Sequence, residues 1–185
     1  MFNSLLDILL PKKCLGCSRE GRYVCSDCDL FLSEAPVDNK GLMAVWQYEG
    51  LMEKLISKIR DEGKYDIINE LVEKAFEKIV LELPKGACIT YVPMSKKKEK
   101  QRGFNQSALI ARKVGKMTKR EVRPLLAKTK SGKHVFQNQK NADVPTNVLL
   151  VDDFLVSGAT FDDCSRVLKE SGARNVWGFV LARKI

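Results

Sequence analysis

Two stretches of this chain carry residues whose types and spacing point to chemistry. In the first, Val148-Leu149-Leu150-Val151 is followed by Asp152, Asp153, two more apolar residues and the turn Val156-Ser157-Gly158-Ala159-Thr160. Four consecutive apolar residues ending in polar ones read as a strand buried on both faces. The turn then opens a helical pattern from Ala159 to Ser171. An open α/β sheet makes its ligand site in that place, at the carboxyl end of a strand beside a helix N-terminus. The backbone amides of Val156 to Thr160, backed by the Ser157 and Thr160 hydroxyls and the helix dipole, suit a phosphate, and Gly158 permits close backbone approach. Carboxylates touching a phosphate would repel it, so Asp152 and Asp153 are assigned to ribose hydroxyls or an intervening Mg²⁺. A capped helix after an acidic turn is the plainer alternative; it accounts for Ser157 but not for the adjacent acids.

The second stretch is Cys14, Cys17, Cys25 and Cys28, spaced C-x2-C-x7-C-x2-C. Each C-x2-C turn can aim two thiolates at one tetrahedral ion, and four thiolates leave no position for a catalytic water, so the pattern indicates structural zinc. A redox pair or fortuitous spacing is the alternative. Met1 to Leu10 carries no Lys or Arg and no small-residue cleavage site, a poor match to a secretory signal. The expected address is cytoplasmic, where clustered thiols bind metal more readily than they pair. Cys88 and Cys164 fall in a strand and a helix pattern and are expected to be buried, inert thiols.

Composition narrows the class. With 185 residues, 44% hydrophobic and 30% charged, the chain suits a soluble globular fold and is not disordered. Its apolar runs fall far short of the ~20 residues a membrane span needs. The net charge of +9 is uneven, because Lys96 to Lys133 holds 14 Lys/Arg against Glu99 and Glu121 alone. A basic segment of that density suits a phosphate-bearing partner, whether nucleotide, pyrophosphate or nucleic-acid backbone. Solubilising lysines on helix faces are the bland reading.

The elements that must position these groups follow from periodicity. Phe2, Leu5, Leu6, Leu9 and Leu10 repeat at helical spacing, so residues 1–33 read as an amphipathic helix and a zinc module, with a turn over 35–41. Beyond it, strands are expected at 42–48, 87–92, 122–126, 147–151 and 175–181. Helices are expected from Leu51 to Gly63, from Ile67 along an apolar stripe through Val80, from Gln106 to Met117, and from Ala159 to Ser171. Such alternation predicts a parallel sheet covered on both faces over 42–185. Residues 127–146 are polar and without a clear period, as a mobile lid would be; they include the single histidine, His134, to which no role is assigned.

The acidic stretch resembles the phosphoribosyl-pyrophosphate (PRPP) motif of type I phosphoribosyltransferases. Further motifs resemble the ComF family of competence proteins: Leu5 to Pro11 before four cysteines, Tyr48-x-Gly50, Arg102-Gly103-Phe104-Asn105-Gln106 with Ala108 and Ala111, and Gly172-Ala173-Arg174 through Leu181-Ala182-Arg183. The resemblance covers nearly the whole chain. It implies a Rossmann-like type I phosphoribosyltransferase domain after a zinc finger. Asp152 and Asp153 would then hold the ribose hydroxyls, and Val156, Ser157, Gly158, Ala159 and Thr160 the 5′-phosphate. Pro93, Met94 and Ser95 would form the pyrophosphate loop with Arg102 as countercharge, and 127–146 a shortened hood. The cofactors implied are structural zinc and Mg²⁺ with PRPP. The role implied is DNA uptake in natural transformation, with single-stranded DNA and other competence proteins as partners. The alternative is a Mg²⁺-dependent transferase moving ribose 5-phosphate from PRPP to an amine or base.

Overall fold

A computed structural model describes residues 11–36, 41–129, 136–139 and 142–185. In chain order the elements begin with α1 (Ser26–Asp29), β1 (Leu42–Gln47), α2 (Gly50–Glu62), α3 (Asp66–Lys78) and β2 (Cys88–Tyr91). Next come α4 (Lys96–Arg102), α5 (Gln106–Thr118), β3 (Leu126–Lys128) and β4 (Phe136–Asn138). The chain closes with β5 (Asn147–Leu155), α6 (Ala159–Glu170) and β6 (Asn175–Arg183). Four strands pair in the order β1-β6-β5-β2, every pairing parallel, while β3 and β4 make a separate antiparallel ribbon. The α/β class and the parallel sheet expected from the sequence are therefore observed.

The apolar run in β5 explains the layering. Val148, Leu149, Leu150 and Val151 are all 0% exposed, which requires cover on both faces. Side chains alternate along a strand, so the run divides. Leu149 and Val151 cluster with Ile56 of α2, Ile67 and Leu71 of α3, and Ile110 of α5. Val148 and Leu150 cluster with Cys164 and Leu168 of α6, and with Leu126 and Phe136 of the ribbon. Each such side chain contributes about 1.5–3 kcal/mol on burial. Cys88 and Cys164 lie within this second layer, 3% and 0% exposed, as expected.

Among the described residues the cysteine module has no core of its own. Cys14, Val24, Cys25, Cys28 and Leu32 share one cluster with Trp46, Leu55, Ile67 and Leu71. Polar ties run to the same helix, α3: the Glu70 carboxylate accepts from the backbone N–H groups of Tyr23 (3.0 Å) and Val24 (2.8 Å), and Lys74 pairs with Asp29 at 3.4 Å.

The structure corrects several expectations. The apolar stripe through Val80 outlasts its helix: α3 stops at Lys78, Ile79 is extended, and Val80 is 80% exposed. The expected strand at 122–126 shrinks to a single parallel bridge between Val122 and Ile89, since Pro124 has no N–H to continue a ladder. The interval 127–146, expected to be without regular structure, contains the end of β3 and all of β4, seated on α6 through Phe136. Strand β5 runs four residues past Val151, held by β6 as far as Leu155 opposite Arg183. The helix expected within 1–10, residues 37–40 of the turn, and His134 lie outside the described residues.

Candidate functional site

β2 ends at Tyr91, opposite Val151, whereas β5 continues. Asp152 and Asp153 thus have β6 on one side and no strand on the other, and a cavity of about 290 Å³ opens there. Its walls come from four places. They are the acids and the 154–158 turn with Thr160, the segment Val92 to Ser95, α4 through Lys98 and Arg102, and the α5 start at Asn105, Gln106 and Ser107. Arg60 and Lys128 complete it.

Adjacent residues of a strand point apart, and the two acids accordingly find different partners. Asp152 accepts from the Ser107 hydroxyl at 2.7 Å and from the Asp153 N–H at 2.9 Å. Its burial, then the charge of Asp153, push its pKa from 3.8 up to about 8, against those two donors. Asp153 is held by Arg60 in a two-pronged pair, Nε donating to Oδ2 at 2.7 Å and Nη2 to Oδ1 at 2.8 Å. The Arg60 guanidinium lies 4.0 Å from the Phe154 ring centre, and Phe154 stacks on Tyr48 at 4.3 Å. This stack fixes the arginine and through it the carboxylate.

Helix ends supply the remaining polarity. Gly158 caps α6 with φ +78, a left-handed conformation that costs little only without a Cβ, and the first-turn amides of a helix have no intrahelical acceptor. Ser95 caps α4, its hydroxyl accepting from the Lys98 N–H at 3.3 Å. Asn105 caps α5 by accepting from the Ala108 N–H at 3.4 Å, while its Nδ2 donates to the Val92 carbonyl at 3.1 Å. Lys98, Arg102 and Lys128 form no ion pair among the described residues, so the cavity has a surplus of positive charge.

Nearly all the site residues expected from sequence line this one cavity: Asp152, Asp153, Val156, Ser157, Gly158, Thr160, Pro93, Met94, Ser95 and Arg102. Ala159 is exposed and does not line it. Sequence reasoning missed Arg60 and Ser107. An arginine in the last turn of an amphipathic helix carries no local mark of an aspartate 93 residues away. The basic segment also divides: Lys113 pairs with Glu73, and Arg120 and Arg123 donate to the carbonyls of Leu83 and Asp143, so these cations serve the fold.

The sulfur atoms of Cys14, Cys17, Cys25 and Cys28 all lie within 4.8 Å of one another, and those of Cys17 and Cys25 are 3.6 Å apart. Tetrahedral zinc with Zn–S near 2.3 Å requires S···S of about 3.8 Å, so this group is positioned to bind a metal ion and fits structural zinc. Burial would raise the Cys14 thiol, but the N–H groups of Cys25, Cys17 and Gly16 hold it down at about 6. Gly16 is required for contact: a Cβ there would stand 2.6 Å from the Cys28 sulfur.

No family model matches the chain. It is similar to Competence protein ComFC of Bacillus subtilis (strain 168), 27% identical over 177 residues spanning 86% of this chain and 72% of that protein. It is 28% identical to Competence protein ComFC of Streptococcus pneumoniae over 98% of this chain and 85% of that one. With Competence protein F of Haemophilus influenzae it shares 26%, over 91% and 84%. The resemblance read from the sequence is therefore borne out over most of the chain. The crystal structure of TT1426 from Thermus thermophilus overlaps 63% of this chain and 72% of that one, with a TM-score of 0.40 and 14% identity. Among the described residues no helix is long and apolar enough to cross a membrane.

Proposed function

We propose that this chain binds PRPP or a closely related phosphorylated ribose in the cavity beyond β2, and that it serves DNA uptake during natural transformation from the cytoplasm. The observation that carries this reading is the convergence on one cavity of an acid pair, a glycine-capped helix start and three cations that form no ion pair among the described residues. The α6 start at 156–160 takes the 5′-phosphate. Asp152 and Asp153 face the ribose hydroxyls, and Pro93 to Ser95 with Lys98 and Arg102 take the diphosphate. Both carboxylates already have protein partners, and Mg²⁺ bound together with the ligand would supply neutralising charge. The four-cysteine module of residues 1–33 holds structural zinc and docks on the phosphoribosyltransferase-like domain of 42–185, whose 127–146 segment acts as the short hood. The similarity to competence proteins supports the cellular role and other competence proteins as partners.

α4 splits this work by face. Lys98 and Arg102, one turn apart, line the cavity; Lys96, Lys97 and Lys100 are exposed and do not line it. The outward face is assigned to single-stranded DNA, through its phosphates. Calorimetric titration tests both halves. PRPP with Mg²⁺ binds wild type and loses affinity at least tenfold in Asp152→Asn/Asp153→Asn, whereas Lys96→Glu/Lys97→Glu/Lys100→Glu leaves PRPP unchanged and abolishes salt-sensitive DNA binding. Absence of PRPP binding by the wild type would refute the first half, and salt-insensitive DNA binding the second.

One observation favours transfer rather than binding alone. Burial and the neighbouring Asp153 push Asp152 to about 8, which allows this carboxyl to exchange a proton with an amine acceptor near neutral pH. Pyrophosphate release that needs PRPP, Mg²⁺ and an acceptor together would identify a Mg²⁺-dependent transferase.

A further inference from the structure

Three consecutive polar residues, Asn105, Gln106 and Ser107, stand at the start of α5 on the cavity wall, only 6%, 1% and 5% exposed. Polar groups taken out of water destabilise the fold unless each finds a hydrogen bond. Two of the three do. Asn105 spans the Val92 carbonyl and the Ala108 N–H, and Ser107 donates to Asp152. Gln106 Nε2 is buried and has no partner among the described residues. Elsewhere around the cavity the fold commits its buried polar side chains to protein partners, so a donor left over at its wall marks a place where an acceptor is expected from outside.

We infer that Gln106 is a specificity-determining contact of this cavity, its side-chain amide donating to an oxygen on the diphosphate arm of the bound phosphoribosyl compound. The inference rests on the PRPP reading and adds to it a residue and an arm. Phosphate oxygens only accept, and an amide NH₂ is a donor without the mobile charge of a lysine. The Asn105 cap takes the Ala108 N–H, and the remaining first-turn amides of α5, a helix of 13 residues, favour an anion at its start. The Asn105 bond to Val92 ties this helix start to the Pro93 to Ser95 segment, which places Gln106 with the diphosphate rather than with the monophosphate cradle of α6.

Gln106→Met keeps the length of the side chain and removes the orphaned donor. Titrations of the full chain with PRPP, pyrophosphate and ribose 5-phosphate, each with Mg²⁺, are compared with thermal unfolding of the unliganded protein. The expected result is a divergent signature. Gln106→Met raises the Tm of the free protein, weakens PRPP and pyrophosphate about tenfold or more, and leaves ribose 5-phosphate within twofold of wild type. Gln106→Glu, which sets a carboxylate against the diphosphate, weakens the same two further. Unchanged pyrophosphate and PRPP affinity in Gln106→Met overturns the inference while the PRPP reading stands. A lower Tm with equal losses for all three compounds also overturns it, by showing a structural role. If the wild type binds neither PRPP nor pyrophosphate, the reading beneath falls and the inference with it.

Discussion

The cysteine cluster and the acid pair both gather ionisable groups, yet they are built for opposite purposes. In the cluster four sulfur atoms lie within 4.8 Å of one another, and Cys14, Cys25 and Cys28 are part of the largest hydrophobic core, with Cys17 at its exposed edge. Every donor is aimed inward, which is how a site holds an ion permanently. In the pair, two neighbouring carboxylates diverge to separate protein partners, and amides and cations are left facing a cavity. That arrangement suits a molecule that comes and goes. Closure and openness, more than residue type, separate the structural site from the exchanging one.

The largest expected effect breaks the closed site. Cys14→Ser removes one of four donors from a cluster continuous with α3, so module and cavity should fail together. We expect a fall in Tm of about 10 °C or more and loss of PRPP binding in the same preparation, read by thermal unfolding and calorimetry. Retained binding by a destabilised protein would show the two regions to be independent. Next in size is Arg60→Met, which strands a carboxylate only 7% exposed. A loss of about 3 kcal/mol in urea unfolding is expected, partly restored in Arg60→Lys; a smaller loss from Asp153→Asn would confirm that the stranded charge is responsible. The last effect is read against pH. A carboxyl whose pKa rises from 3.8 unfolded to about 8 folded binds more protons in the native state between those values. Stability then falls as pH rises from about 4 towards about 8 and levels off above, and Asp152→Asn should flatten that slope while still accepting from Ser107. An unchanged slope in the variant would assign it to other groups.

The same contrast explains what the amino-acid order disclosed. Cysteine pairs and a strand ending in acids are local patterns, so Cys14 to Cys28 and Val148 to Thr160 were legible, as was the alternation that specifies a parallel sheet. Arg60 and Ser107 owe their importance to chain crossings that no local period reports. β3 and β4 hold three residues each, too few for an alternation to stand out. Val80 continued the stripe of α3 by residue type alone, while the chain after Lys78 had already turned extended.

Glu70 grips the backbone of Tyr23 and Val24 across 47 and 46 positions of the chain. A growing polypeptide emerging from the ribosome exposes its thiols long before it makes the helix that secures them. The cysteine segment, made before α3, thus settles only once that helix follows, and until α3 arrives its sulfur atoms stand open to whatever metal or oxidant they meet first.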